Sequence, residues 1–261
     1  GSYVDAAQVA ETMKWDDVVG LGEMMNFPGI LGGEENAQHE VGETLKAGKC
    51  VTGHYSISET DRGLNAYIAS GVRACHECIT ADDVMAKLRM GMYVQARYGS
   101  AWLSLPNYLP RVLESGVDTR LIILCTDDNH PNTLVNEGGM DRALRAVLEC
   151  GCDPVTALQF ATINAAQCLG VDQDMGSVAP GKCADMVILP DLESFIPEQV
   201  YIDGDLVAKD GEPTFDHELF EWPDFMTHTM NVGRTFTAAD FEIPVDRPDG
   251  MCRVRAIGGV G

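Results

Sequence analysis

Basic residues are scarce in this 261-residue chain: 18 Lys and Arg stand against 40 Asp and Glu, a formal charge of −22. No basic block interrupts that surplus, and a surface of this sign repels phosphate backbones and anionic lipid. Nucleic acid and membranes are therefore not expected partners. Long apolar runs are missing too, so no segment reads as a bilayer span, and no signal-peptide pattern opens the chain. Nine cysteines, an odd number, lie mostly in strand-like or helix-like stretches such as "IILC" (122–125) and "LECGC" (148–152). That usage suits buried free thiols in a reducing compartment better than a secreted disulfide framework, and the cytoplasm is the expected location. An initiator Met is also absent. The chain opens "GSYVDAAQ" and closes "VRAIGGVG", so both ends read as cut.

What is present is a ladder of short β-rich runs alternating with amphipathic stretches. "VVGLGE" (18–23) reads as a strand, followed by "MMNFPGILGG" and a helical run over 34–47. "CVTGH" (50–54) precedes the helical "DRGLNAYIASG" (61–71). "VRACH" (72–76) precedes "TADDVMAKLRMG" (80–91), where Thr80 with Asp83 three residues on is a helix-start pattern. "MYVQAR" (92–97) leads into a helix near 102–115, and "RLIILCTDD" (120–128) into helices through "EGGMDRALRAVLECG" and "DPVTALQFATINAAQCLG". Such alternation predicts βα units and a parallel sheet.

Each strand ends on a residue able to do chemistry: Glu23, His54, His76, Arg97 and Asp127, at intervals of 31, 22, 21 and 30 residues. Each interval is the size of one βα unit. The C-terminal ends of parallel strands share one rim, where (β/α)8 barrels keep their active sites. Eight units need about 250 residues, yet five are complete by about residue 170 here. The expected fold is thus α/β, part of a (β/α)8 TIM barrel over 1–175. Residues 176–215 change character, with short strands broken by Gly, Pro and Asp turns that include "DGD" at 203–205; they predict an antiparallel, β-sandwich-type module. Residues 216–261 read as the start of a C-terminal region. Five units alone leave an edge strand and an apolar face uncovered, so a homo-oligomer or a missing upstream segment is expected.

Glu, His, His and Asp are donors suited to Zn, Mn or Fe. A bridging carboxylate can hold two such ions about 3.5–4 Å apart, and the pair activates water at neutral pH. Glu77, beside His76, and Asp128, beside Asp127, are spare carboxylates for proton transfer. Residues 74–78, "ACHEC", raise the competing reading of a Cys-x-x-Cys motif. In a strand Cys75 points away from His76, so the two cannot share one ion, and "ECGC" at 149–152 has the wrong spacing for a second half-site. Cys75 reads as a small buried apolar residue, and the cysteine spacing as incidental.

Seven collinear stretches carry a resemblance: "GLGEMMNFPG" (20–29), "GH" (53–54), "LNAYIASG" with "HEC" (64–78), "KLRMGMYVQARYGSA" (87–101), "LCTDDNHP" (124–131), "DPVTALQFATINAA" (153–166) and "GSVAPGKCADMVIL" (176–189). Together they resemble the adenine deaminase family of the amidohydrolase superfamily, up to about residue 215, where the last stretch alone marks only an amidohydrolase in general. The resemblance implies the metal-dependent hydrolase type of barrel, here its strand 4 to strand 8 part, and a divalent, binuclear centre of Mn, Fe or Zn. It implies that Glu23 bridges two metals, that His54 and His76 are ligands, and that Asp127 binds metal and moves the proton of the attacking water. Glu77 would serve the substrate ring as a proton donor, and the reaction would turn adenine and water into hypoxanthine and ammonia. A small-molecule purine is then the partner.

The departures are specific. The family's strand-1 His-x-His pair is absent from these residues, and His39, His217 and His228 do not replace it. "GHYSISETDRG" departs from the commoner Gly- and Pro-containing loop after the ligand histidine, which bears on substrate-loop detail and not on His54. Asn26, Arg97 and Ser100 are candidate substrate contacts, with turn, cap or ion-pair roles as the competing explanation for each. Trp102 carries no assigned chemistry. Two other functions stay open: an amidohydrolase acting on a different purine or a cyclic amide or amidine, and a non-catalytic subunit.

Overall fold

The computed structural model describes residues 4–216, 220–245 and 250–257, so His217 lies outside the described residues. The chain divides into two units, Gly1–Thr214 and Phe215–Gly261. In the first, α1 (Ala6–Thr12) precedes β1 (Gly20–Met24), which is followed by α2 (Phe27–Gly32) and α3 (Glu35–Lys46). Then come β2 (Cys50–Gly53) with α4 (Arg62–Ala69), β3 (Ala74–Cys75) with α5 (Ala81–Arg89), and β4 (Tyr93–Arg97) with α6 (Leu105–Glu114). Next β5 (Ile122–Cys125) leads into α7 (Pro131–Asn136), α8 (Met140–Glu149), α9 (Pro154–Ala161) and α10 (Ile163–Leu169). The five strands are parallel, in the order β1-β2-β3-β4-β5. The expected βα ladder, part of a TIM barrel, is the fold found.

Strand alternation divides the sheet into two faces. Val51, Cys75, Val94, Ala96, Ile122 and Leu124 point into helix-covered cores, packed by α2 to α4 on one side and α5, α6, α8 and α9 on the other. The intervening Cys50, Ala74, Tyr93 and Ile123 form the opposite face, where Cys168 and Leu169 of α10 cover the strand starts. Continuing the same parity toward the strand ends brings His54, His76, Arg97 and Asp127 onto that second face.

Glu23 reaches it by a different route. Leu21 pairs with Val51, but Met24 pairs with Gly53, so the register slips by one residue between them. A one-residue slip exchanges the faces of a strand. Met24 enters the helix-side core, and Glu23 is turned to the side of the histidines.

Helix starts follow local chemistry. The Thr80 hydroxyl accepts from Asp83 N, while Asp153 accepts from Val155 N and Thr156 N and is followed by Pro154 at the first helical position. The antiparallel module is β6 (Met186–Ile188), β7 (Gln199–Ile202), β8 (Asp205–Lys209) and β9 (Glu212–Pro213). Two-residue turns at Asp203-Gly204 and Asp210-Gly211, each with both residues at positive φ, make its hairpins. It belongs to the first unit, and Phe195, in the loop before β7, is buried in the main core.

The second unit contains α11 (Asp224–Thr227) and a 3-10 turn at Ala238–Phe241. Its large apolar side chains, Phe225, Met230 and Ile257 among them, are exposed. Among the described residues no helix is long and apolar enough to cross a membrane. All nine cysteines are free.

Candidate metal centre

Glu23, His54 and His76 meet at the ends of β1, β2 and β3. Each offers a donor atom within 4.8 Å of the others, and among the described residues they are the one such group found. Glu23 Oε1 lies 3.5 Å from His54 Nδ1, and Glu23 Oε2 lies 3.2 Å from His76 Nδ1. His54 Nδ1 and His76 Nε2 are 3.1 Å apart, with the rings edge to face at 5.0 Å. Two imidazoles and a carboxylate, with one donor atom each inside 4.8 Å, match the donor set and spacing that a divalent ion with bonds of about 2.0–2.2 Å requires. His76 is buried, and burial pushes its imidazole below the ordinary value against the pull of Glu23, Asp127 and Glu77. A neutral imidazole is the form that binds metal. These residues can hold a divalent metal ion.

Arg97, Glu77 and Asp127 form the other half of the rim. Arg97 is only 2% exposed, and its Nη1 donates to Glu77 Oε1 at 2.7 Å and to Asp127 Oδ2 at 2.6 Å. Burial works against the guanidinium charge, but the bonds to Glu77 and Asp127 hold it above its ordinary value. Glu77 also faces both imidazoles, with Oε1 3.7 Å from His54 Nδ1 and from His76 Nε2. It thus connects the two halves. Asp127 is outside the group of three donors, engaged instead by Arg97, and its backbone adopts φ 56°, a left-handed conformation costly for a non-glycine residue.

The remaining candidates take local structural partners. Asn26 is the N-cap of α2: its Oδ1 accepts from Gly29 N at 3.0 Å, and its Nδ2 donates to Glu34 at 2.6 Å. Ser100 accepts from His130 N at 2.7 Å and bonds Thr133 Oγ1 at 2.9 Å, tying the loop after β4 to the loop after β5. Sequence reasoning passed over three contributors. Trp102 lies under the Arg97 guanidinium, 4.9 Å from ring centroid to Cζ. Lys87, fully buried on α5, donates to the Glu77 carbonyl at 2.7 Å and pairs with Asp83 at 2.8 Å. Tyr67 on α4 bonds the backbone of His54 and of Met24, next to Glu23. Each reads in sequence as an ordinary helix or loop residue. The one usable signal was a lysine in an otherwise apolar helix face, between Val84 and Leu88.

In "ACHEC" the strand parity holds. Cys75 is buried in the helix-side core, where Tyr55 N donates to its Sγ at 3.2 Å, and His76 faces the rim.

Residues 107–207 match the amidohydrolase family. That match runs from within α6 into β8, about two fifths of the chain. Adenine deaminase from Clostridium botulinum (strain 657) is 50% identical over 243 residues, 93% of this chain and 41% of that protein. Adenine deaminase from Paracoccus denitrificans is 42% identical over 261 residues, covering all of this chain and 43% of that one. The chain thus spans about two fifths of the curated relatives it matches. Among solved structures, N-acetylglucosamine-6-phosphate deacetylase from Pasteurella multocida superposes with a TM-score of 0.53 at 17% identity, over 67% of this chain and 55% of that one. Phenylurea hydrolase B gives 0.52, also at 17% identity, over 81% and 58%. At such identities the likeness is one of fold, and it agrees with the five-stranded parallel sheet.

Proposed function

We propose that this amidohydrolase domain deaminates adenine hydrolytically, giving hypoxanthine and ammonia, as part of a longer protein. The observation that carries the reading is the convergence of Glu23, His54 and His76 at one strand rim in a chain 50% identical to an adenine deaminase. Those three side chains would hold the divalent ion, with Mn, Fe and Zn as the candidate metals and Glu23 shared with a second ion. A divalent ion bound there lowers the pKa of water so that it can attack at neutral pH.

The chain's own residues account for the protons. Hydrolysis joins the water oxygen to C6, breaks the C6–N6 bond and moves both water protons: one to a ring nitrogen and one to the departing amine. Two proton transfers are therefore needed, and carboxyl groups within hydrogen-bond reach can carry them. Glu77 and Asp127 fit by position, because Arg97 holds both on this rim by hydrogen bonds of 2.7 and 2.6 Å. Glu77, next to the ligand His76, would serve the ring nitrogen, and Asp127 the leaving amine. Asn26, Arg97 and Ser100 remain candidate substrate contacts, with Arg97 nearest to the proton carriers.

The test is turnover by metal-replete, full-length protein containing this chain, followed by hypoxanthine and ammonia release. Competition against other purines, N6-substituted adenines and cyclic amides fixes the substrate class. Full metal loading without adenine turnover would sink the reading.

A further inference from the structure

The ladder between β1 and β2 ends at the Met24–Gly53 pair. Beyond that pair the two strand ends are joined by a side chain. The Tyr67 hydroxyl donates to the Met24 carbonyl at 2.5 Å and accepts the His54 backbone N–H at 3.0 Å. One of those groups adjoins Glu23 in sequence, and the other belongs to His54 itself. Tyr67 is fully buried. Its ring packs on Tyr55 at 5.4 Å and edge-on against Phe27 at 6.4 Å, so the hydroxyl is held by a rigid aromatic cluster. Gly53 makes the approach possible: a Cβ at that position would overlap the Tyr67 hydroxyl and the Val72 side chain.

We infer that Tyr67 is a positioning residue for the metal centre, fixing the separation of Glu23 and His54 through their backbones without touching a ligand atom. The inference rests on the metal-binding reading of Glu23, His54 and His76. Side chains that orient ligands from behind typically change metal affinity by about 10–100-fold when removed. Tyr67 acts one step further back, on the main chain, so the lower end of that range is expected.

Co2+ titration of the full chain, read by visible absorption, tests it. Tyr67→Phe keeps the ring and removes only the hydroxyl; it should weaken Co2+ binding by about 10-fold and shift the absorption bands. Gly53→Ala, which presses on the same hydroxyl from the strand, should act in the same direction. Tyr55→Phe is the control for loss of a buried phenol, because its hydroxyl bonds Glu59 at 2.6 Å, away from the ligands. It should leave the Co2+ spectrum and affinity unchanged. Wild-type affinity and spectrum in Tyr67→Phe would overturn the inference, as would equal losses in Tyr67→Phe and Tyr55→Phe. A wild-type chain that binds no Co2+ would overturn the metal reading alone. The clamp would then be decided by histidine-ring NMR of the metal-free chain. Tyr67→Phe should move the His54 signals and leave those of His39 and His130 in place, and unmoved His54 signals would overturn it.

Discussion

The two halves of the rim share one face of the sheet yet hold different chemical partners. On the β1–β3 side a carboxylate faces two imidazoles, groups that can shed protons and turn lone pairs toward one point. On the other side Glu77, after β3, and Asp127, after β5, face the guanidinium of Arg97 at the end of β4, which never loses its proton and so cannot yield its place to a metal without being displaced. Position on the rim therefore does not assign a role; the partner does. Removing one side chain at a time should separate the two halves most clearly. Glu23→Gln, His54→Ala and His76→Ala should each weaken divalent-metal binding by more than about 100-fold, beyond the cost of changes one layer out. Asp127→Asn should cost only about 10-fold, because that carboxylate is already engaged by Arg97. Isothermal titration with Mn2+ or Zn2+ ranks the four, and an Asp127 loss equal to the others would place it in the primary ligand set.

The β4–β5 half should instead register in stability. Arg97→Met leaves Glu77 and Asp127 sharing a cleft with no cation between them. Breaking a buried pair this way typically costs 3–5 kcal/mol; with the two carboxylates 18% and 28% exposed, the lower end, about 3 kcal/mol, is expected in urea denaturation. Arg97→Lys should recover only part of it: one nitrogen, Nη1, meets both carboxylates, but an ammonium loses the Nη2 contact to Glu77 and the stacking on Trp102. A fully stable Arg97→Lys variant would show that charge alone matters there.

A third contrast lies in the glycines of the two halves. Gly53 makes room for a hydroxyl on a side chain, whereas a Cβ at Gly99 would run into the backbone carbonyls of Thr126 and Asp128. Backbone atoms of a neighbouring strand end cannot rotate aside. Gly99→Ala should therefore cost about 2 kcal/mol by overpacking and push the Asp127 loop away from Arg97. Thermal unfolding of the metal-free chain reads the cost.

Much of this was legible in the sequence for a physical reason. His54, His76, Arg97 and Asp127 each end a run whose alternation and following helix are local properties, so their common rim follows from period and handedness. The opposite facing of Cys75 and His76 follows from the same period. Glu23 also ends a run, but its facing depends on the register slip between Leu21 and Met24, which no local pattern in "GLGEM" announces. The clamp by Tyr67, the brace by Lys87 and the bridging of Glu77 to Asp127 by Arg97 are contacts across 10 to 43 residues of chain. They arise from the packing of helices and strand ends on one another, and a tyrosine or lysine on an amphipathic helix carries no mark of it.

The smallest expected effect concerns Trp102, a residue 38% exposed whose ring sits under the Arg97 guanidinium. An attraction between a cation and an exposed indole is worth about 0.5–1 kcal/mol, well below the carboxylate bonds to the same guanidinium. Trp102→Leu should lower stability by about that amount, and the loss should depend on the cation. In a double-mutant cycle, adding Trp102→Leu to Arg97→Met should then cost almost nothing, giving a coupling close to the single-mutant value. If Trp102→Leu costs the same with and without Arg97, the indole is packing the loop after β4 rather than holding the guanidinium. The placement of Arg97 between Glu77 and Asp127 would then depend on the two carboxylates alone.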